Sequence, residues 1–342
     1  MPCHLVIPAA DLSRVGEARR AAAVLAKGAG FGAGQQGEIA IIATELTTNL
    51  AKHATNGRLL LQAIPPSGAQ ASASMELIAV DTGPGMSDPE RCLRDGYSTG
   101  GTAGTGLGAV RRLSSEFDVY STLDQGTVLL SRVNAEACAT ARNGNRLRWG
   151  VVSIPAPHEV ACGDAWTVRV DDSRCAILVA DGLGHGPLAE AASKQAVEVF
   201  NSNPFAEPQA VVQAIHVALS GSRGAAISVA HIDREKRVLR YAGLGNISAS
   251  LLSDREGSGR GLFSHNGTAG VHVRKVQQFE YPCGENGKSG TLIMHSDGLQ
   301  SRWSLEKYPG LRQRHPGVIA GILYRDLTRG RDDVTVLVVD GL

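Results

Sequence analysis

Four aspartates stand out between residues 164 and 332 of this chain, the last three of them at the ends of strongly apolar runs that read as strands. They are Asp164 in CGD, Asp181 in ADGLGHG, Asp297 in SDG and Asp332 in RDDVT. Carboxylates gathered at one edge of a sheet offer only oxygen ligands, which suits two hard divalent ions, Mg²⁺ or Mn²⁺. Two such ions about 3.5 to 4 Å apart lower the pKa of a bridging water from 15.7 towards roughly 7 and neutralise the phosphate it attacks. Direct hydrolysis of a phosphate ester is the chemistry this set fits. Asp-Gly at a strand end is also an ordinary turn, so the weight rests on the seven-residue ADGLGHG block and on the order of the four pieces. His185 within that block reads either as an acid near a leaving oxygen or as a loop residue between glycines. No arginine stands out as a phosphate clamp.

The first half carries a different constellation. Glu45 and Asn49 lie one turn apart on a helix, Asp81, Gly83 and Gly85 follow a strand as DTGPG, and Gly104, Gly106 and Gly108 open a helix as GTGLG. With ATP bound, Asp81 is a carboxylate acceptor for the adenine amino group, and Gly83 and Gly85 let the backbone come close to the base. Asn49 offers an amide oxygen to Mg²⁺ shared with phosphates. The three later glycines present amide N–H groups to the phosphates at a helix start. Glu45, on the same face as Asn49, is placed to orient or deprotonate an attacking hydroxyl. DxGxG and GxGxG are each common turns in isolation, and only their combination and order point to nucleotide.

The elements that must hold these residues follow from periodicity. Residues 11 to 30 and 35 to 53 read as helices, the second burying Ile39, Ile42, Ala43, Leu46 and Leu50. Residues 58–64 and 73–81 read as a hairpin, 107–117 as a helix, and 118–122 and 127–133 as strands. The pattern is lost in NAEACATARNGNRLR, which places a linker at 136–147 between a domain at 1–135 and another at 148–342. Beyond it, short strands dominate, at 147–154, 165–170, 175–180, 225–232, 238–242, 291–295 and 334–339. Helices are expected at 187–200, 208–220 and 316–327. The chain is thus α+β with two domains.

Composition removes several classes. Lys plus Arg number 34 against 33 Asp plus Glu, so there is no broad field to attract nucleic acid or an anionic membrane. The six cysteines, Cys3, Cys92, Cys138, Cys162, Cys175 and Cys283, form no CxxC pair, which argues for free thiols in a reducing cytoplasm. No apolar run approaches a membrane span.

The helix, strand, loop, helix order of the first constellation resembles the GHKL (HATPase_c) ATP-binding fold shared by gyrase, Hsp90, histidine kinases and MutL. The stretch TGLGAVRRLSSEFDVYSTLDQGTVLLSRV looks like the serine kinases and anti-sigma factors of partner-switching pathways, the RsbT type in particular. That resemblance implies an α/β sandwich, ATP with Mg²⁺, and Thr127 beside Asp81 in the nucleotide site. It also implies a STAS-domain partner phosphorylated on Ser or Thr. The acidic set, over about residues 147 to 340, resembles the metal-dependent protein phosphatases of the PP2C class, in the SpoIIE, RsbU and RsbX branch. It implies an α-β-β-α sandwich in which Asp181 bridges two Mn²⁺ or Mg²⁺ ions and the Gly182 carbonyl, Asp164, Asp297 and Asp332 complete the set. Asp333 is the lesser of its pair, and Cys162 stands where that branch usually has glycine. The expectation is a fused regulator that phosphorylates a STAS-type partner with one domain and dephosphorylates such a protein with the other. The alternatives are a first domain that only binds ATP or sequesters a protein such as a sigma factor, and a nucleotide sensor that gates the phosphatase.

Overall fold

The computed structural model describes residues 3–68, 71–93, 106–135, 147–252, 259–283 and 290–342. Contacts divide the chain into two compact units. One holds Pro2–Arg142 together with Gln313–Arg325, and the other holds Asn143–Arg312 and Asp326–Leu342.

In the first unit the elements run β1 (Leu5–Pro8), α1 (Arg14–Gly28), α2 (Ala33–His53), β2 (Arg58–Ile64), β3 (Ser74–Val80), α3 (Pro89–Cys92), α4 (Gly106–Leu113), β4 (Glu116–Thr122) and β5 (Gly126–Asn134). The five strands form one antiparallel sheet in the order β1-β2-β3-β5-β4. Strand alternation gives this sheet two faces. Leu59, Leu61, Leu77, Ala79, Leu129 and Val133 point to the face packed with Ala22, Ile39, Ala43 and Leu46 of the helices. The helix expected over 107–117 stops at Leu113. Ser114 turns its hydroxyl back to the Val110 carbonyl at 2.7 Å and meets the Ser131 hydroxyl at 2.6 Å, so the chain passes directly into β4.

The opposite face carries Leu60, Ile78, Val128 and Leu130, and beside them a polar row in register, Gln62, Glu76, Arg132 and Glu116. This face is covered by the segment Gln313–Arg325, which the sequence places in the second domain. A methyl group added at Gly321 would stand 2.7 Å from Val128 Cγ1, and one at Gly317 would strike Leu130. Two glycines one turn apart cost a helix interior about 0.5 to 1 kcal/mol each relative to alanine; here they permit the close approach. His315 Nε2 meets Glu116 Oε2 at 2.8 Å, the His315 backbone N–H donates to Asp118, and Arg58 Nη1 donates to the Tyr324 hydroxyl at 2.9 Å. Every residue from Pro316 to Tyr324 is buried, as a helix apolar on all sides requires.

The second unit begins with β6 (Arg148–Ile154), β7 (Asp164–Val170), β8 (Arg174–Gly182), α5 (Pro187–Ser202), α6 (Pro208–Ala218), β9 (Ala225–Asp233), β10 (Val238–Leu244) and β11 (Ser248–Leu252). Short strands follow, β12 (Arg260–Gly261), β13 (Ser264–His265), β14 (Gly267–Thr268), β15 (His272–Val273) and β16 (Phe279–Pro282). The chain closes with β17 (Thr291–His295), α7 (Pro316–Leu327, whose larger part belongs to the first unit) and β18 (Val334–Asp340). One sheet runs β13-β10-β9-β8-β7 with β16 on β10, and another runs β12-β11-β17-β18-β6. Trp149 of one and Trp166 of the other touch with ring centroids 5.6 Å apart, and α5 and α6 seal Ala192, Phe200, Val212 and Ile215 onto the first sheet. Proline opens α5 and α6 at their first position, where the lost N–H has no helical partner. The five described cysteines are free thiols. No described helix is long and apolar enough to cross a membrane.

Candidate functional sites

In the first unit, Glu45 and Asn49 lie half-buried on α2 beside its apolar stripe. Glu45 reaches the start of α4, where a methyl on Gly106 would collide with its carboxylate; Gly108 is buried in that helix. Asp81 directly follows β3, buried, with Oδ1 accepting the Gly83 N–H at 2.7 Å and its own N–H donating to the Thr127 carbonyl at 3.0 Å. Burial pushes the Asp81 carboxyl up, against the pull of the Gly83 and Thr127 amides and Arg325. The Thr127 hydroxyl meets Ser121 Oγ at 2.9 Å. Gly85 takes φ +70°, and a side chain there would run into the Thr122 carbonyl. Thr82 N–H donates to the Thr55 carbonyl at 2.9 Å, which fastens the DTGPG turn to the end of the helix that bears Asn49. Gly104 lies outside the described residues. Arg325 Nη1, 3.4 Å from the Asp81 carbonyl, is a neighbour that the linear sequence does not reveal.

In the second unit, register does the work. Asp164 and Asp181 are direct partners across β7 and β8, so pairing of two apolar strands sets two carboxylates side by side at one edge. Ser296, at the end of β17, donates to Asp164 Oδ2 at 2.6 Å and accepts the Thr335 N–H at 2.9 Å. This hydroxyl ties the ends of β17 and β18 to β7 and brings Asp297 and Asp332 to the same edge. Asp181, Asp297 and Asp332 line a cleft of about 400 Å³ with Asn246, Asn266 and Thr268. The Asn246 amide donates to Asp297 Oδ2 at 2.8 Å. Gly182 ends β8 against the Ala189 carbonyl, where a side chain would not fit. Asp333 has another task, because its two oxygens accept the Ala156 and Gly163 N–H groups at 2.8 and 3.0 Å and pin the loop that leads to Asp164. His185 Nδ1 meets Glu159 Oε1 at 2.8 Å, the ring is exposed, and it is not among the cleft-lining residues.

The residues present fit a divalent ion. Asp164 Oδ1 is buried with no hydrogen-bond partner among the described residues, an arrangement that a cation satisfies. The donor set is oxygen alone. Among the described residues no three His, Cys, Asp or Glu side chains form a ready-made cage, so gathering the carboxylates on an ion requires side-chain rotation. Burial first, and then the charges of Asp164, Asp297, Asp332 and Asp333, push the Asp181 carboxyl up to about 9. Burial, with Asp333 and Asp297 behind it, pushes Asp164 to about 7.

A pH dependence follows. Above about 3.8 the unfolded chain has released the Asp181 proton, while the folded chain holds it until about 9. The metal-free protein is therefore expected to lose stability as pH rises through that window. A bound divalent ion replaces the proton. At pH 8, Mn²⁺ at a hundred times its Kd is expected to add about 2.7 kcal/mol. Calorimetry in chelator and in Mn²⁺ checks this, and a Tm indifferent to Mn²⁺ at pH 8 would remove the metal site.

Comparison with known proteins gives two matches in sequence. Residues 171–341 match the family described as Stage II sporulation protein E (SpoIIE), and residues 8–132 match the histidine kinase-like ATPase domain. The phosphoserine phosphatase RsbX of Bacillus subtilis (strain 168) is 27% identical over 179 residues, 52% of this chain and 85% of RsbX. The serine/threonine-protein kinase RsbT of the same organism is 34% identical over 110 residues, 32% of this chain and 80% of RsbT. Among solved structures, one reported under the bacterial stressosome, a modular system adapted to control secondary messenger signalling, has a TM-score of 0.51 at 26% identity. It covers 57% of this chain and 99% of its own. RsbX in complex with magnesium has a TM-score of 0.50 at 23% identity, covering 58% of this chain and 96% of its own, a likeness of fold.

Proposed function

The chain belongs to the SpoIIE family and carries a histidine kinase-like ATPase domain ahead of it, and from that premise we propose a partner-switching regulator that adds and removes phosphate on a Ser or Thr of a STAS-type protein. The observation that carries the hydrolytic half is the in-register pairing of Asp164 with Asp181 at the edge where Asp297 and Asp332 line one cleft. Asp164, Asp181, the Gly182 carbonyl, Asp297 and Asp332 would hold two Mg²⁺ or Mn²⁺ ions, which supply an activated water and charge neutralisation. Asn246 holds Asp297 in place, Ser296 holds Asp164, and Asp333 keeps the loop before Asp164 closed.

In the first domain, Asp81 would accept from the adenine amino group of ATP, with Gly83, Gly85 and Thr127 beside it. Asn49 would offer its amide oxygen to the accompanying Mg²⁺, and Gly104, Gly106 and Gly108 would offer amide N–H groups to phosphate. Glu45 orients or deprotonates the attacking hydroxyl; its contact with the start of α4 supports that role. Asp81→Asn or Asn49→Ala is expected to weaken ATP binding about 10- to 100-fold. Hydrolysis by the second domain should be unchanged. Titration with a fluorescent ATP analogue beside a phosphatase assay separates the two; loss of both activities in each variant would contradict two sites.

The test of the whole reading mixes Asp181→Asn protein, which cannot erase product, with Mg-ATP and a STAS protein and follows the partner's mass. A phosphoryl gain that disappears on adding wild-type protein with Mn²⁺ establishes opposing kinase and phosphatase. Binding of ATP and partner without a gain leaves a first domain that sequesters or senses, and a phosphatase as the enzyme.

A further inference from the structure

The geometry points to Arg223 as the residue that receives the phosphoryl oxygens of the substrate, a reading that rests on the hydrolytic role of the aspartate cleft. Arg223 sits in the turn from α6 into β9, between Gly221 at φ +83° and Gly224 at φ +81°. The turn is built firmly. The Ser222 hydroxyl donates to the Leu219 carbonyl at 2.6 Å and accepts the Gly224 N–H at 3.0 Å. The Gly224 carbonyl takes the Leu183 N–H at 3.0 Å, which fixes the turn to the loop directly after Asp181 and Gly182. A methyl group on Gly184 would stand 3.0 Å from Arg223 Nη1, and Gly184 lines the cleft with Asp181, Asp297 and Asp332.

The guanidinium is exposed and makes no hydrogen bond, ion pair or ring contact to another described residue. Arg223 is not itself one of the cleft-lining residues but stands beside Gly184, which is, and an arginine left single among the described residues has its fork of N–H donors available. Charge counting gives those donors a purpose. Asp164, Asp181, Asp297 and Asp332 carry four negative charges when ionised, which two divalent ions cancel, so a phosphomonoester dianion meets a centre with no net attraction. The cleft wall otherwise offers Asn246, Asn266 and Thr268, and the Asn246 amide is already given to Asp297. Arg329 and Arg331 bear on Asp297, with the Arg329 backbone N–H donating to the Gly298 carbonyl. Arg223 stands instead beside the Asp181–Gly184 loop and supplies the bidentate, charge-assisted contact that phosphate oxygens accept.

The experiment compares wild type, Arg223→Ala and Arg223→Lys with Mn²⁺, p-nitrophenyl phosphate as substrate and inorganic phosphate as competing product. Arg223→Ala is expected to raise the KM and the phosphate inhibition constant by about 10- to 100-fold, with kcat changed less. Arg223→Lys should recover part of the loss, because it restores charge without the fork. The Mn²⁺-induced rise in Tm should be the same in all three. An unchanged phosphate inhibition constant in Arg223→Ala, with Mn²⁺-dependent hydrolysis intact, overturns the assignment and leaves the hydrolytic reading standing. Wild-type protein that shows neither a Mn²⁺-dependent Tm nor phosphate binding overturns both.

Discussion

Asp181→Asn is expected to reduce hydrolysis of a phosphoserine protein by roughly 10³-fold or more, because the lost carboxylate removes several kcal/mol of charge stabilisation. The substitution is nearly isosteric, so the fold should survive. Relief of the crowding that pushes the Asp181 carboxyl up to about 9 should even stabilise the metal-free protein above neutral pH. The pair of results is diagnostic: activity falls, the metal-free Tm at pH 8 rises, and the Mn²⁺-induced gain in Tm shrinks. Steady-state assays and calorimetry on one preparation measure all three. Retention of more than about a tenth of the wild-type rate at saturating Mn²⁺ would exclude Asp181 as a ligand of the reacting centre.

The largest stability effect is expected at Arg132. Its guanidinium lies between Glu76, at 2.6 Å, and Glu116, at 3.2 Å, with Glu76 fully buried and His4 Nε2 3.6 Å from the second Glu76 oxygen. Burial pushes the Glu76 carboxyl up, but Arg132 and His4 outweigh it and hold it below its ordinary value. Arg132→Ala strands that charge and is expected to cost about 3 to 5 kcal/mol. The double change Glu76→Leu with Arg132→Met removes both charges and fills similar volume, so most of the stability should return. Urea denaturation of the three proteins tests this. A loss below about 1 kcal/mol in Arg132→Ala would mean that Glu76 protonates or reaches water.

The legible part of this molecule was the part written in local patterns. The helix stripe of α2, the strands that carry Asp164 and Asp181, and the strands that Asp81, Asp297 and Asp332 adjoin came from periodicity and from turn residues at fixed offsets, so these aspartates were legible as candidates. Asn246, Asn266 and Thr268 were not. They come from turns and from strands of two residues, too short for any period to show, and they reach the cleft only through long-range pairing. The row Gln62, Glu76, Arg132 and Glu116 takes one residue from each of four adjacent strands, so no single stretch of sequence shows it, nor that His315 meets Glu116 and Gly317 of a distant helix lies beside Glu76. An apolar helix at 316–327 was expected, but nothing in its own residues says which sheet it will meet.

That helix also sets a clock. Because Gln313–Arg325 belongs to the first compact unit, the ribosome must add some 180 residues after Arg142 before this unit has all its parts. At 5 to 20 residues per second, the nascent chain waits roughly 10 to 40 s with the Leu60, Ile78 and Leu130 face uncovered. Such a chain is a natural client for a chaperone during synthesis, and its yield should respond to translation speed between those two points.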